Sequence, residues 1–355
     1  MVALNVRQLT VRFDDTTVLE NLDLFVGPRS SMAVLGQSGS GKSTLLRTIA
    51  GLDRPVAGNI YLDGVDVTDV HTSQRGLIFV AQSPALQPNL NLADNVERPL
   101  KWAGDTPPES RRQRVASELR RFGLGGRGHK WVNEASAGEI HSTATARGTV
   151  RNPRLLLLDE PVAALDAGAR RARILELRRQ HRSTGSTLVV ATNDWTVAAA
   201  LADRVAILAG GSIIQEAEPL DLYNRPVSMH AAELTGRWRL NRLAGTVRRP
   251  PGAQIEIVTP AGPIRTWRDP PQESMVVGIR PADLIVADDG PLQGTVVSSM
   301  VLGPTVLVTV DADGLRLEAM APKPSPEAGS AVRMRWRRAH LFTLDGDAID
   351  HIDSV

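Results

Sequence analysis

The chain has 355 residues, a hydrophobic content of 42%, an aromatic content of 4% and a formal net charge of +2. This length allows two domains, or one large and one small domain, and so small a net charge gives no sign of a nucleic-acid partner. The absence of cysteine excludes disulfide scaffolds, thiolate metal sites and cysteine nucleophiles, and no apolar run approaches the roughly 20 residues of a membrane-spanning helix.

Residues 1 to about 235 alternate strand-like and helix-like segments, which is typical of an α/β domain. Apolar runs predict strands over residues 6–12, 31–35, 76–81, 155–159, 187–192 and 204–208. Between residues 86 and 150 the pattern becomes polar and helical, which indicates a helical insertion. There, Thr106 to Glu109 have the spacing of a capping box with proline at the first helical position, and the predicted helix continues over residues 110–122.

The stretch after residues 31–35 carries the strongest motif of the chain. It reads Gly36, Gln37, Ser38, Gly39, Ser40, Gly41, Lys42, Ser43 and Thr44. This order matches G-x-x-x-x-G-K-[ST], in which glycines let successive backbone N–H groups face nucleotide phosphates. Lys42 has the reach to contact the β- and γ-phosphates, and the Ser43 hydroxyl suits Mg²⁺. Residues 45–50 predict a helix that stops at Gly51, and the whole setting predicts nucleoside triphosphate binding.

A second motif, over residues 155–161, consists of four leucines followed by Asp159, Glu160 and a proline. Four consecutive apolar residues predict a buried parallel strand, and we expect it to lie beside the phosphate loop. In phosphate-loop proteins such a strand presents its aspartate to the Mg²⁺ shell, which makes Asp159 the metal candidate. Glu160 is then placed to polarise the attacking water as a general base.

From about residue 245 the sequence pattern changes to short runs of alternating apolar and polar residues, which glycine and proline interrupt. Residues 254–258, 294–297 and 305–310 are examples. Short strands at this spacing predict an all-β module. We therefore expect a first domain over residues 1–236, with its helical part at about 86–150, and a smaller β domain over residues 244–355.

With these motifs the chain resembles the ATP-binding cassette family, and more closely the ATPase subunits of sugar importers of the maltose-importer type. Residues 277–284 and 339–342 look like the regulatory β domain of that subgroup, so the resemblance covers nearly the whole chain. It implies an α/β phosphate-loop domain with a helical insertion, followed by an OB-like β domain that serves dimerisation or regulation. It also implies ATP and Mg²⁺ as cofactors.

The resemblance assigns further roles by position. Phe13 stands where an aromatic ring stacks on adenine, and Gln82 where a glutamine touches Mg²⁺ and water. Residues 164–166, Ala-Leu-Asp, match a short loop that crosses the dimer interface. The implied nucleotide-binding set is Phe13, Gly36, Ser38, Gly39, Ser40, Gly41, Lys42, Ser43, Thr44, Ser136 and Gly138, the last two serving the opposite protomer. The implied metal set is Ser43, Gln82 and Asp159, and the implied catalytic set is Glu160, Asn193 and Gln82.

The family signature, Leu-Ser-Gly-Gly-Gln, is altered here. The segment over residues 135–139 reads Ala-Ser-Ala-Gly-Glu, so Ser136 and Gly138 persist. Ala137 adds a Cβ where close backbone approach is expected. Glu139 is predicted to bring a negative charge near phosphate oxygens and so to lower affinity. The family usually has basic residues after this segment, and this chain has Ile140 and Ser142 in their place.

A second departure is Asn193, which stands where the family has a histidine that contacts the γ-phosphate. An asparagine amide donates hydrogen bonds but carries no charge. His141 lies near the signature in sequence, yet its spacing gives no reason to expect it to substitute. We therefore expect ATP binding near normal and hydrolysis reduced but not abolished. In a homodimer both sites would have the weak signature and Asn193, whereas in a heterodimer a partner with a standard signature would rescue the site built on Lys42 and Glu160.

The function that the resemblance implies is the motor of an importer, with carbohydrate as its cargo. Its implied partners are two transmembrane permease subunits and an extracytoplasmic solute-binding protein, and it would lie at the cytoplasmic face of the membrane. The alternatives are a weakly or non-hydrolysing regulatory subunit of such a complex and a soluble cassette protein of translation or repair. The latter class usually has paired cassettes or coiled-coil arms, neither of which is evident in this sequence.

Overall fold

The computed structural model describes residues 3–103, 107–163, 165–260 and 262–353. Packing divides the chain into two units, Met1–Pro219 and Leu220–Val355. The strands of the first unit are β1 (Leu4–Phe13), β2 (Thr16–Val26), β3 (Ser31–Leu35), β4 (Ala57–Leu62), β5 (Val65–Asp66), β6 (Leu77–Val80), β7 (Leu155–Asp159), β8 (Thr187–Thr192), β9 (Arg204–Ala209) and β10 (Ser212–Ala217). Its helices are α1 (Lys42–Ala50), α2 (Leu92–Ala103), α3 (Pro108–Arg121), α4 (Ala137–Thr149), α5 (Ala167–Thr184) and α6 (Trp195–Leu201).

A six-stranded sheet in the order β10-β9-β3-β8-β7-β6 forms the centre of the first unit. All its neighbours pair in parallel except β10, which is antiparallel to β9. Strands β3, β7 and β8 are buried along their whole length, which explains why they read as continuous apolar runs. Their carboxyl ends lie side by side, the edge at which ligands bind in open α/β sheets.

A second sheet, in the order β2-β1-β4-β5, is antiparallel. Alternate residues of β1 and β2, such as Leu9 and Leu22, are fully buried and share one core with Leu45 and Ile49 of α1. The helix that follows the phosphate loop is therefore held by packing from this sheet and from the central one.

The helical segment contains α2, α3 and α4, as the polar pattern predicted, with Leu92, Phe122 and Ala146 in its core. The predicted capping box falls partly outside the described residues, since Thr106 is not among them. Helix α3 has Pro107 as its N-cap and Pro108 at its first turn. The helix thus begins one residue later than the sequence suggested, because Pro108 has a fixed φ compatible with the first turn and no N–H to leave unsatisfied there.

The second unit has two short helices at its start, α7 (Pro219–Asn224) and α8 (Met229–Leu234), and is otherwise predominantly β structure. Its strands are β11 (Asn241–Arg248), β12 (Ile255–Thr259), β13 (Gly262–Thr266), β14 (Ser274–Ile279), β15 (Leu284–Val286), β16 (Leu292–Val301), β17 (Val306–Ala312), β18 (Leu315–Ala321), β19 (Ala331–Trp336), β20 (Arg338–Phe342) and β21 (Ala348–Asp353). They form a six-stranded sheet, β13-β12-β11-β14-β20-β21, and a closed barrel, β15-β18-β17-β16-β19.

The packing division, after Pro219, lies upstream of the gap between the domains predicted over residues 1–236 and 244–355. The buried guanidinium of Arg280 accounts for this, because it donates to the main-chain oxygens of Tyr223 and Ala232 and ties the stretch containing α7 and α8 to the β strands. The domain bounds 1–236 and 244–355 therefore remain a prediction. Among the described residues, no helix has the length and apolar character that crossing a membrane requires.

Candidate functional site

The segment between β3 and α1 has the backbone of an anion-binding loop. Gly39 and Gly41 adopt φ values of 82° and 102°, which L side chains rarely accept. At Gly36 a Cβ would stand 2.5 Å from the Leu208 carbonyl oxygen, so only glycine fits there. Gly41 is the N-cap of α1, and the first N–H groups of the helix, beginning at Lys42, are directed into the loop.

The Lys42 side chain directs its ammonium group into the anion-binding loop. Its Nζ donates to the main-chain oxygens of Gly36 and Gln37, at 2.9 and 2.8 Å. Burial lowers the pKa of Lys42, while the carboxylates of Glu160 and Asp159 oppose that shift. The three charged groups are therefore close enough to interact, and the lysine is the cation that faces both acids.

Asp159, the last residue of β7, is the best metal candidate by its surroundings. Its Oδ1 is buried and has no hydrogen-bond partner in the described part of the chain, while the Ser43 hydroxyl hydrogen-bonds its carboxyl group. Burial raises the pKa of Asp159, against the lowering effect of Ser43 and Lys42. A desolvated carboxylate oxygen beside a hydroxyl is the hard-oxygen donor set of Mg²⁺, so these residues fit the ion.

Two protein oxygens are enough to bind Mg²⁺ when a nucleotide is present. Within the described ranges no group of three His, Asp or Glu side chains could hold a metal. Mg²⁺ bound with a nucleotide takes one or two protein ligands and completes its shell with phosphate oxygens and water. The local chemistry therefore matches a nucleotide-bound Mg²⁺ better than a metal held by protein alone.

Glu160 is fixed in orientation by the end of β8. Its Oε1 accepts a hydrogen bond from the Asn193 N–H at 2.9 Å, and its Oε2 accepts one from the Thr192 hydroxyl at 3.3 Å. Burial raises the pKa of Glu160, against the lowering effect of Lys42. Its φ of 46° lies in the left-handed region, which non-glycine residues occupy mostly where surrounding contacts hold them.

Strand β7 does not pair with β3, because β8 lies between them. The Ser43 hydroxyl and the Asp159 carboxyl nevertheless meet across the carboxyl end of β8. The intervening strand contributes Thr192 and Asn193, which is why both contact Glu160.

Phe13 and Gln82, which the sequence placed at the nucleotide, both have exposed side chains. Phe13 ends β1 with 46% of its side chain accessible, so its ring is free to stack on a planar partner. Gln82 lies just after β6, and its main chain contacts the ring of His141 on α4. Arg147, also on α4, donates to the Ala85 oxygen at 2.9 Å. Helix α4 thus holds the segment that contains Gln82.

The altered signature is a well-formed helix start. Ser136 is the N-cap of α4, and its hydroxyl accepts from the Glu139 N–H at 3.3 Å while Glu139 Oε2 accepts from the Ser136 N–H at 2.8 Å. This capping box satisfies two main-chain donors. Arg127 and Lys130 also donate to the Glu139 carboxylate. Two cations therefore compensate the negative charge of Glu139, and its predicted effect on ATP affinity stays a prediction.

The neighbouring predicted residues are partly described. Ala137 is exposed, and a Cβ on Gly138 would stand 3.1 Å from Leu165 Cδ2. Ala164 lies outside the described residues. The side chain of Asp166 caps α5 by accepting from the Ala169 N–H at 2.9 Å, so this aspartate has a local structural role.

Sequence reasoning missed several residues of the site. Thr192 gave no signal, because a strand-terminal threonine is common. Arg127 and Lys130 lie in a glycine-rich loop whose path the sequence does not reveal, although S-x-x-E spacing at Ser136 could have identified the capping box. The contact of His141 with Gln82 depends on how α4 packs.

A glycine-rich phosphate loop, a buried aspartate followed by a half-buried glutamate at the end of β7, and a mostly parallel sheet together define a phosphate-loop nucleotide-binding protein. Residues 19–163 match the ABC transporter family (ABC_tran), and residues 277–344 match the TOBE domain family. The chain is similar to a dimeric ATP-binding cassette, MJ0796, solved in a post-hydrolysis state with ADP and Pi. The two share 29% identity and a TM-score of 0.56, over 61% of this chain and 98% of that one.

Curated relatives match along almost the full length. The spermidine/putrescine import ATP-binding protein PotA 2 of Pseudomonas aeruginosa is 34% identical over 352 residues, 94% of this chain and 96% of the relative. The Fe(3+) ions import ATP-binding protein FbpC of Streptomyces coelicolor is 35% identical over 350 residues, 98% of each. The chain therefore belongs to the ABC transporter ATPases, a family that uses ATP with Mg²⁺. These relatives are named for polyamine and iron import, and the maltose-importer subgroup is not confirmed.

Proposed function

We propose that this chain is the ATP-binding and ATP-hydrolysing subunit of an ABC importer. The observation that carries the proposal is the orientation of Glu160. It is held by the Asn193 N–H and the Thr192 hydroxyl, and it interacts with Lys42 inside the group formed by the phosphate loop and Asp159. A carboxylate fixed in this way suits a general base beside a bound phosphate.

The roles that we propose follow from the contacts. Lys42 and the N–H groups from Gly39 to Thr44 hold the β- and γ-phosphates, and the Ser43 hydroxyl and the Asp159 carboxylate hold Mg²⁺, which neutralises phosphate charge when bound. Glu160 accepts a proton from the attacking water. Because the pKa of Glu160 is raised by burial, it is a stronger base than an exposed glutamate.

Three further residues are proposed around that centre. Gln82 supplies an amide to the metal and water, Phe13 stacks on adenine, and the Asn193 side chain donates a neutral hydrogen bond to the γ-phosphate. The main-chain N–H of Asn193 has a separate function, since it already orients Glu160. Replacement of the family histidine by asparagine would therefore weaken the phosphate contact without releasing the base.

The second half of each nucleotide site is proposed to come from another subunit. Ser136 and Gly138 lie at the start of α4, where unpaired N–H groups and the helix dipole attract anions. We propose a homodimer, with a heterodimer as the alternative, that closes on ATP and drives two transmembrane permease subunits fed by a solute-binding protein. The chain would then lie at the cytoplasmic face of the membrane through those subunits.

For the cargo, the names of the relatives are the available guide. Full-length similarity to polyamine and ferric-iron import subunits favours these two classes over the carbohydrate that the sequence resemblance suggested. Cargo selectivity is proposed to belong to the partners. Uptake of labelled putrescine, ferric iron and maltose, each in cells with and without this chain, would assign the class.

The alternative function is a weakly or non-hydrolysing nucleotide-binding subunit of the same kind of complex. The observation that favours it is Asn193, whose exposed side chain places an uncharged amide where the family has histidine. The fixed Glu160 argues against it, because a chain that only clamps ATP has no use for a desolvated, oriented carboxylate.

The test is Mg-ATP hydrolysis by the purified chain beside Glu160→Gln, with binding of a fluorescent ATP analogue recorded in parallel. Glu216→Gln, at a glutamate of β10 paired with Arg204, is the matched control. We expect unchanged nucleotide binding in all three and turnover lost only in Glu160→Gln. Equal turnover in Glu160→Gln and its parent would refute the role of Glu160, and absence of turnover in the parent would favour the alternative function.

A further inference from the structure

Glu139 is the most tightly held carboxylate near the start of α4. Its side chain is 8% accessible, and each of its oxygens has two donors. Oε2 accepts from the Ser136 N–H at 2.8 Å and from Lys130 Nζ at 3.1 Å, and Oε1 accepts from Arg127 Nη1 at 3.0 Å and from Lys130 Nζ at 3.1 Å. The hydrogen bond from Ser136, with those from Lys130 and Arg127, lowers the pKa of Glu139 to about 2.

The carboxylate and its two cations form a matched set. A glutamine at position 139 could accept from the Ser136 N–H with its oxygen, but its NH₂ group would then face donors from Arg127 and Lys130. Conversely, removing the cations would leave a largely buried carboxylate without compensation, which is strongly unfavourable. With Glu139 in this chain, the two cations therefore act as its counter-ions, Lys130 from a partly buried side chain and Arg127 from an exposed one.

The loop that supplies the cations is itself anchored. The main-chain oxygens of Gly128 and Lys130 accept from the N–H groups of Ala93 and Leu92, both at 2.9 Å, at the start of α2. Glu139 consequently links the first turn of α4 to the first turn of α2. Because one carboxylate meets two cations, the negative charge of Glu139 itself is compensated and does not oppose an approaching phosphate.

We propose that Arg127 and Lys130 are positioning residues of the variant signature. By holding Glu139, they keep the Ser136 hydroxyl and the first N–H groups of α4 in place to receive the γ-phosphate of ATP bound to another subunit. This inference rests on the proposed function for its final step. Ala-Ser-Ala-Gly-Glu is then a working signature whose acidic residue has its own counter-ions.

The test combines removal of the cations with removal of the charge. We compare the parent, Arg127→Met/Lys130→Met, Glu139→Gln and the triple variant, with Arg204→Met as a control that also breaks an ion pair of the first unit. Hydrogen–deuterium exchange over residues 136–142 reports the helix start without any need for turnover. Binding of a fluorescent ATP analogue to the chain's own phosphate loop and ATP-dependent dimer formation in a Glu160→Gln background are measured in parallel.

The double variant is expected to exchange at least about tenfold faster over residues 136–142, the effect of an uncompensated carboxylate. It should also need at least about tenfold more protein to dimerise, with nucleotide binding unchanged. Glu139→Gln added to it should restore both quantities toward the parent values. Rescue separates charge compensation from general damage, because the neutral side chain keeps the capping box but cannot repair a disrupted fold.

Unchanged exchange in the double variant, or faster exchange that Glu139→Gln does not correct, would overturn the positioning role. A chain that binds no ATP at all would instead contradict the proposed function, and the exchange comparison would still decide the role of Arg127 and Lys130. Exchange that is rescued while dimer formation is unaffected throughout would confine the two cations to the helix start and overturn their link to the γ-phosphate.

Discussion

The main-chain N–H of Asn193 donates a hydrogen bond of 2.9 Å to Glu160 Oε1. The contact uses the backbone, so it does not depend on which side chain stands at position 193. The departure from the family histidine therefore leaves intact the group that orients the proposed base, and it removes only the charge that the side chain would carry.

Asn193→His is expected to raise turnover at saturating ATP by about tenfold, because a histidine can supply a charged hydrogen bond to phosphate in the transition state. Steady-state hydrolysis with KM and kcat measured separately checks this, and the gain should appear in kcat. Asn193→Ala keeps the main-chain contact with Glu160 and is expected to lower kcat only modestly. No gain from histidine would indicate that position 193 lies away from the phosphate.

Gly36→Ala is expected to destabilise the phosphate loop, because its Cβ would stand 2.5 Å from the main-chain oxygen of Leu208 and neither backbone can move freely in the buried sheet. We expect a loss of about 1–3 kcal/mol in the free energy of unfolding and weaker nucleotide binding. Urea unfolding and titration with an ATP analogue measure the two effects.

The matched control is Gly168→Ala on α5, where the new Cβ would meet Asp166 Oδ1 at an ordinary 3.4 Å. This helical substitution should raise the free energy of unfolding by roughly 0.5–1 kcal/mol and leave nucleotide binding unchanged. Equal behaviour of the two variants would contradict the close approach at Gly36.

Ser136→Ala removes the side-chain acceptor at the N-cap of α4. The Glu139 N–H loses its partner, so we expect local destabilisation of roughly 0.5–2 kcal/mol. Hydrogen exchange over residues 137–149 measures this effect. The exchange rate should increase most in the first turn of α4 and least at the end of the helix. Ser110→Ala, at an exposed position within α3, should leave exchange over residues 137–149 at the parent rate.

Acid is expected to weaken the second unit through His340. This side chain is fully buried, and its Nδ1 lies 3.0 Å from Nδ1 of His351, so one ring donates and the other accepts. Burial, with Arg280 and His351, lowers the pKa of His340 to about 3, with Arg338 adding to the shift and Asp353 opposing it. A folded-state pKa below the unfolded value gives stability that is complete above about pH 6.5 and is lost toward pH 3.

The size of this effect is bounded by one proton, which is about 1.4 kcal/mol per pH unit. The free energy of unfolding of the parent, measured in urea from pH 7.5 to 5, should therefore fall more steeply than that of His340→Gln. His230→Gln, on α8, is the control and should follow the parent. Parallel curves for the parent and His340→Gln would contradict the prediction.

The central sheet could be predicted closely because buried parallel strands leave an unambiguous apolar run. The bounds predicted for β3, β7 and β8 are those observed. Strand β2 was missed, since exposed polar residues interrupt its apolar ones and its pairing with β1 follows from a tight turn. The order of the strands could not be predicted from local sequence either, so only the structure shows that β8 lies between β3 and β7.

The same distinction applies to the site. Lys42 and Asp159 were found because their motifs carry their neighbours within a few residues. The partners of Glu139 were not, because Arg127 and Lys130 come from a separate loop whose path depends on Gly123 and Gly126, both at positive φ. The charge at residue 139 could be read from sequence, whereas its compensation required the packing of that loop.

Helix α4 holds both ends of the short segment over residues 82–85, through His141 at Gln82 and Arg147 at Ala85. Displacement of this segment must therefore move α4 or break those contacts. The N-cap of the same helix is Ser136, which we propose to contact the ATP of a neighbouring subunit. If Gln82 and Ser136 have the roles proposed above, a movement of α4 at one nucleotide site would displace a contact of the other site, and the two sites of a dimer would be coupled without direct contact between their ATP molecules.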